Sequence, residues 1–211
     1  MVGQGVLREC LEDPSVTSVL SIARAASGQK HEKFQEIVQK DLYDYSNIEG
    51  RLSGYDACFF CLGVTSSGMS EKDYSHVTYD LTMAAAKALL ARNPGMTFVF
   101  VSGVGTDSSE KGSVMWARVK GRAENALLKM PFKAAYMFRP GFIQPMDGIK
   151  SKTKLYRMFY SVLGPLYPVM RKAFPNYVIN TRTLGRAMIQ VAKSGAPKRV
   201  LANADIGQLG G

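Results

Sequence analysis

The chain has 211 residues, of which 46% are hydrophobic and 10% aromatic, enough apolar side chain for one core and too short for two full domains. This composition excludes a disordered, collagen-like or low-complexity protein. Three cysteines, Cys10, Cys58 and Cys61, are an odd count that excludes a disulfide framework and points to a reducing compartment.

The net charge of +10 is unevenly spread: residues 1–105 carry 9 basic and 12 acidic side chains, whereas residues 106–211 carry 18 and 5. An excess confined to the second half favours an anionic partner there, or simply a solvated basic surface. No signal-peptide pattern opens the sequence, and the longest weakly charged apolar stretch, residues 158–170, is short for a bilayer and contains Pro165 and Pro168. The expectation is a soluble, cytoplasmic protein.

Val6, Leu7, Cys10 and Leu11 recur at helical spacing before Asp13 and Pro14 interrupt them, so the chain opens in a helix. Residues 18–23 and 34–38 read as strands, the first ending at Arg24, the second followed by Asp41-Leu42 and a small helix over 48–52. Residues 57–62 are a nearly continuous apolar run, the pattern of a strand buried on both faces of a parallel sheet, and Gly63 ends it.

A long helix over 74–92 stops at Asn93-Pro94-Gly95. Residues 96–101 form another buried strand closed by Ser102-Gly103, residues 116–129 a helix, and residues 134–138 a strand that breaks at Arg139-Pro140-Gly141. This alternation predicts an α/β fold with a doubly wound parallel sheet and ligands beyond the carboxyl ends of its strands. A short strand over 177–179, a helix over 181–193 and a strand at 200–201 follow. Residues 1–145 are therefore expected to be a dinucleotide-binding core, and 146–211 a small helical substrate-side cap with the closing helix and strand of the same domain.

The opening Met1-Val2-Gly3-Gln4-Gly5-Val6-Leu7 has the form of the tail of a glycine-rich phosphate loop entering a helix, with Gly3 allowing close helix and strand packing. Together with Arg24, Asp41-Leu42, Cys61-Leu62-Gly63-Val64-Thr65, Ser102-Gly103, Val119-Lys120-Gly121 and Phe138-Arg139-Pro140-Gly141, it resembles the atypical short-chain dehydrogenase/reductases. The resemblance is to the NADPH-binding Tat-interacting-protein-like oxidoreductases and their epimerase-like relatives, and runs from Met1 to about Pro145.

The resemblance implies a Rossmann sheet in which Gly3 approaches the pyrophosphate and Arg24 holds the adenosine 2′-phosphate. Asp41 and Leu42 border the adenine, and Leu62 and Gly63 lie along the ribose and nicotinamide. It further implies that Ser102 polarises a substrate carbonyl, that Lys120 holds the nicotinamide ribose, and that Trp116 stands where the family has its proton-donating Tyr. One point is independent of the family: an NAD site wants a carboxylate near the end of the second strand, and here Arg24 stands there with no acid before Glu32. NADP is accordingly preferred to NAD.

Two departures stand out. An indole N–H donates a hydrogen bond but releases no proton at useful pH, so Trp116 cannot be the general acid of a carbonyl reduction. Trp116 is then a stacking or a packing residue, with Tyr74, Tyr79 and Tyr156 as alternative phenols. The family's first strand and the first two glycines of its loop also precede the position matched by Met1. The expectation is an N-terminally truncated sequence lacking about ten residues, one strand and its turn.

Cys58-Phe59-Phe60-Cys61 has a metal-site spelling but lies in a strand, where residues three apart face opposite ways, so the thiols should diverge. His31 and His76 lack ligand partners at suitable spacing, so no metal is expected. In residues 150–172, Lys150, Lys152, Lys154 and Arg157 precede an apolar aromatic stretch closed by Arg171 and Lys172. That segment is either a cap over a hydrophobic pocket or a peripheral contact with an anionic membrane. Without a helix-turn-helix or RNA-binding signature, nucleic acid ranks last.

The leading expectation is an NAD(P)(H)-binding, short-chain-dehydrogenase-like oxidoreductase or epimerase-like enzyme acting on a small or apolar carbonyl substrate through Ser102 and Lys120. The alternative is a catalytically silent NADPH-binding sensor or interaction protein, for which Trp116 speaks.

Overall fold

Helix α1 (Val2–Glu12) buries Val6, Cys10 and Leu11 on one stripe, and Lys33 closes its end by donating from Nζ to the carbonyls of Leu11 at 3.3 Å and Asp13 at 2.8 Å. The computed structural model describes residues 1–149, 167, 174 and 176–211. β1 (Val19–Ala23) and β2 (Phe34–Val38) pair in parallel, Val19 opposite Phe34. A second ladder of four parallel strands runs in the order β3 (Ala57–Phe60), β4 (Thr97–Val101), β5 (Ala134–Arg139), β8 (Val200–Ala202). β6 (Phe142–Gln144) and β7 (Val178–Asn180) form a third, two-stranded ladder. Among the described residues no ladder joins β1 to β3.

Period-two alternation divides the core into two layers. Leu20, Ile22, Phe60, Phe98, Phe100 and Met137 pack on α3 (Leu81–Arg92) and α4 (Met115–Lys129). Val19, Phe59, Val99, Phe138 and Leu201 face α1, α5 (Thr181–Ser194) and α6 (Asn203–Gly210). β1 and β3 thus contribute to the same two layers although no ladder joins them. The expected α/β fold with a parallel sheet is present.

Several local expectations change. β3 ends at Phe60, not Leu62, and only Phe60 of its four residues is buried. Both faces are covered, Cys58 packing in the α3/α4 layer and Phe59 in the opposite one, but β3 is the edge of the four-stranded ladder among the described residues and its first three residues stay only partly buried. The long helix begins at α2 (Glu71–Ser75), where Ser70 caps the Asp73 amide, and reaches α3 through a π-helical turn, His76–Asp80. Pro140-Gly141 does not end regular structure, because β6 starts at once and the Gly141 amide donates to Asn203 Oδ1 at 2.8 Å.

The glycine that permits tight packing of α1 is Gly5, not Gly3. A Cβ at Gly5 would lie 2.6 Å from Thr181 Cβ, and one at Gly185 of α5 would lie 2.7 Å from Glu9 Cγ, whereas at Gly3 it would make an ordinary 3.4 Å contact with Cys61 Cβ. Helix α1 therefore crosses α5 through paired glycines, and the buried Glu9 between them bonds Arg186 Nε at 3.0 Å. The thiols diverge as expected: Cys58 packs in the α3/α4 layer and Cys61 in the α1/α5 layer. The basic segment over 150–172 lies outside the described residues except for Tyr167, whose hydroxyl accepts from Asn180 Nδ2 at 2.9 Å.

Candidate functional site

The carboxyl ends of parallel strands present unpaired backbone groups and loop side chains, which makes that edge the place for a ligand. Arg24 follows β1 there as an exposed cation, Leu62 and Gly63 follow β3 and are exposed, and Ser102 follows β4. Helix α1 starts at the same edge: its Gly3 approaches Cys61, just past β3. A helix N-terminus with its free amides pointing past a strand end suits a phosphate group.

Leu42 is 4% exposed and belongs to the interior, so it cannot offer its side chain to an adenine. Asp41 is exposed and accepts from the Tyr43 amide at 2.8 Å. Tyr43 in turn stacks on His76, ring centroids 4.5 Å apart. Near Arg24, the Glu36 carboxylate is occupied by the Ser27 amide at 2.9 Å.

The geometry around β4 and β5 is tighter. Lys120, on α4, donates from Nζ to the Ser102 carbonyl at 2.6 Å. Burial pulls its ammonium down to about 8, and the Glu124 carboxylate opposes that fall. The Ser102 hydroxyl faces Glu124 Oε1 at 2.5 Å and the Phe138 carbonyl at 3.1 Å. A hydroxyl has one hydrogen, and that of Ser102 is committed to these internal acceptors rather than aimed at the open edge. Glu124 and Arg139, which completes the cluster through a buried ion pair, were not singled out by the sequence reasoning as site residues. The missed signal was spacing: Lys120, Glu124 and Leu127 lie on one stripe of α4.

Trp116 packs its six-membered ring against Gly105, where a Cβ would meet Cη2 at 3.4 Å. Gly105 has φ +86°, a left-handed conformation suited to glycine. The alternative phenols fare differently. Tyr74 is 2% exposed, and burial raises its phenol away from useful proton transfer. Arg122 covers the ring of Tyr79 at 4.4 Å, and Tyr156 lies outside the described residues.

Around this edge Leu62, Val64, Val104 and Val114 are 42%, 47%, 57% and 49% exposed. Leu62 and Val64 leave β3 beside the residues that leave β4, since Phe60 pairs with Phe100. The rim near Lys120 is thus apolar. Among the described residues no group of three His, Cys, Asp or Glu could hold a metal ion, and no helix is long and apolar enough to cross a membrane.

No protein-family model matches the chain. Protein fmp52, mitochondrial, of Emericella nidulans is 28% identical over 180 residues, 81% of this chain and 75% of that protein. Protein HTATIP2 of Rattus norvegicus is 26% identical over 216 residues, 99% of this chain and 84% of that protein. A short-chain dehydrogenase/reductase from Saccharomyces cerevisiae has a TM-score of 0.63 at 14% identity, covering 100% of this chain and 95% of its own. The Bordetella bronchiseptica enzyme WbmF, solved in complex with NAD+, has a TM-score of 0.62 at 14% identity, covering 98% and 73%.

The fungal relatives carry mitochondrial names, which overturns the cytoplasmic expectation. A cysteine count reports on redox conditions, not on an organelle. The chain thus has the α/β fold of solved short-chain dehydrogenases and epimerases, and its sequence is similar to Protein HTATIP2 over nearly its whole length.

Proposed function

We propose that the protein binds NADP(H) along the carboxyl edge of its sheets and acts as an oxidoreductase on a small or apolar carbonyl compound. The observation that carries this reading is Lys120, a half-buried amine anchored on the Ser102 carbonyl beside an apolar rim. When bound, a reduced nicotinamide supplies the hydride. The chain supplies Arg24 for the 2′-phosphate, the α1 N-terminus near Gly3 for the pyrophosphate, and Lys120 for the ribose hydroxyls. The exposed Leu62, Val64, Val104 and Val114 exclude water from an apolar substrate. NADP is favoured over NAD because Arg24 is exposed while Glu36, the acid nearest in β2, is held by Ser27.

A second reading is favoured by one observation, the inward-turned Ser102 hydroxyl, and by the resemblance, which puts Trp116 where the family has its proton-donating phenol. On this reading the protein binds NADPH and senses it without turnover. The mitochondrial names of the fungal relatives support a mitochondrial location, which organelle fractionation checks.

Fluorescence titration with NADPH and NADH, followed by NADPH oxidation with decanal as the apolar carbonyl, separates the readings. Arg24→Glu should weaken NADPH at least tenfold and leave NADH within about threefold, since a lost charge-assisted contact is worth roughly 1.5–3 kcal/mol. Equal affinities of wild type and Arg24→Glu for NADPH would remove the 2′-phosphate assignment. Turnover in the wild type supports the oxidoreductase; binding without turnover, with turnover appearing in Trp116→Tyr, supports the sensor.

A further inference from the structure

Glu124 is a carboxylate with no exposed surface, sitting one helical turn after Lys120 on α4. Burying a charge is costly unless it is paired and hydrogen-bonded, and Glu124 is both. Arg139 Nε reaches its two oxygens at 3.1 and 3.2 Å, Arg139 Nη2 reaches Oε2, and the Ser102 hydroxyl reaches Oε1 at 2.5 Å. Arg139 Nη2 also bonds the Ser108 hydroxyl. One anion thereby ties the end of β4, the end of β5, helix α4 and the loop after β4.

The ends of this network are the groups that face the open edge. Ser102 offers its carbonyl to Lys120, and Arg139 leads into Pro140-Gly141 and β6. We propose that Glu124 is the positioning residue of the site: its buried carboxylate locks Ser102 and Arg139 and so holds the Ser102 carbonyl on which the Lys120 amine is anchored. The site then presents an anchored ammonium to a carbonyl oxygen or to the hydroxyls of a nucleotide sugar. This rests on the oxidoreductase or sensor reading only for the identity of that ligand.

Among the charges around Lys120, Glu124 is the one that opposes the effect of burial on its amine. On α4 its other neighbour at one-turn spacing is Trp116, which is uncharged. The β4 end brings the hydroxyl and carbonyl of Ser102. The β5 end brings Arg139, ion-paired with Glu124. Helix α2, packed on α4, brings Glu71, ion-paired with Arg118, Asp73, which accepts from the Ser70 hydroxyl, and the exposed Lys72. The stretch after β3, residues 61–70, contains no charged residue. In the loop after β4, Asp107 turns its carboxylate onto the amides of Ser109 and Gly112.

The test follows the lysine Nζ resonances of [ε-15N]lysine-labelled protein against pH, with Lys120 assigned by its loss in Lys120→Arg. The wild-type midpoint is expected near 8. Glu124→Gln keeps the shape and removes the charge, so the midpoint should fall by about one unit or more, the usual effect of losing a nearby opposite charge. Glu124→Asp keeps the charge and should restore the wild-type midpoint to within about half a unit.

If Glu124→Gln does not fold, Glu124→Met combined with Arg139→Met replaces the whole buried pair by apolar side chains, an exchange often neutral for stability; it should lower the midpoint in the same direction. A midpoint that stays or rises in whichever of these folds overturns the proposal, because a carboxylate that holds the groups around Lys120 must be felt in its titration. NADPH titration of the same samples separates the two claims. A lowered midpoint without NADPH binding supports Glu124 as positioning residue while the cofactor reading fails.

Discussion

Gly121→Ala is expected to destabilise the protein by about 1–3 kcal/mol or more, although glycine to alanine inside a helix ordinarily stabilises by roughly 0.5–1 kcal/mol. The sign reverses because a Cβ at Gly121 would lie 1.8 Å from the Asp107 carbonyl oxygen and 2.6 Å from its carbon. Both are backbone atoms, so no rotamer change relieves the clash and the loop after β4 must lift off α4.

That loop is fastened close to the clash. The Asp107 amide donates to the Ala117 carbonyl at 3.1 Å, Asn125 Nδ2 donates to the Ser108 carbonyl at 2.9 Å, and Arg118 Nη1 donates to the Gly112 carbonyl at 2.5 Å. Lifting it breaks several of these and removes Gly105 from Trp116. Urea unfolding measures the loss, and on the proposed cofactor reading NADPH affinity should fall with it because Lys120 is the residue before Gly121. Gly207→Ala in α6 is the control, since a Cβ there meets only Ile179 Cγ2 at 3.9 Å; it should leave stability unchanged or higher. Equal behaviour of the two variants would remove the close approach from the account.

The same helix shows what the sequence could and could not reveal. The strands at the centre of the sheet were legible: β4 and β5 are continuous apolar runs, and four of the five residues of β4 are buried. Helices α1, α4 and α5 were legible from periodicity and from the breakers that follow them. β6 and α6 were not, because three and eight residues carry too little periodicity to register.

At the site, Lys120 and Trp116 were found by spacing against a family pattern. Glu124 was passed over because an acid on a helix reads as a solvated residue until its partner is known. That partner, Arg139, lies 15 residues away on another element, and nothing local in the sequence announces their meeting. Ser102 shows the converse limit: its position matched the pattern, but the direction of its hydroxyl depends on Glu124.

Raising the pH should stabilise the protein slightly up to about pH 9 and then unfold it between about pH 10 and 11. The sign follows from which state holds protons. Lys120 is lowered to about 8 from an ordinary 10.5, so between those values the unfolded chain binds a proton that the folded one has released, and stability rises with pH. Burial pushes the thiols of Cys10 and Cys61 up to about 12 and that of Cys58 higher, from an ordinary 9.0. Above pH 9 the unfolded chain therefore loses three protons that the folded chain retains, and stability falls.

Each such group contributes about 1.4 kcal/mol per pH unit. Three thiols against one amine give a net loss of roughly 3 kcal/mol per unit above pH 9. The buried Tyr45 phenol, raised to about 12 from 10.0, steepens the loss further. By pH 11 the sum is on the order of 7 kcal/mol, comparable to the whole stability of a typical domain. Helical circular dichroism and thiolate absorbance, followed together under reducing conditions, should change in one transition, because the thiolates form only as the core opens. Substituting Cys10→Ala, Cys58→Ala and Cys61→Ala together should abolish most of the fall in stability between pH 9 and 11, measured relative to the same variant at pH 7. Thiolates appearing well before helix is lost would show instead that the three sulfurs are accessible in the folded protein.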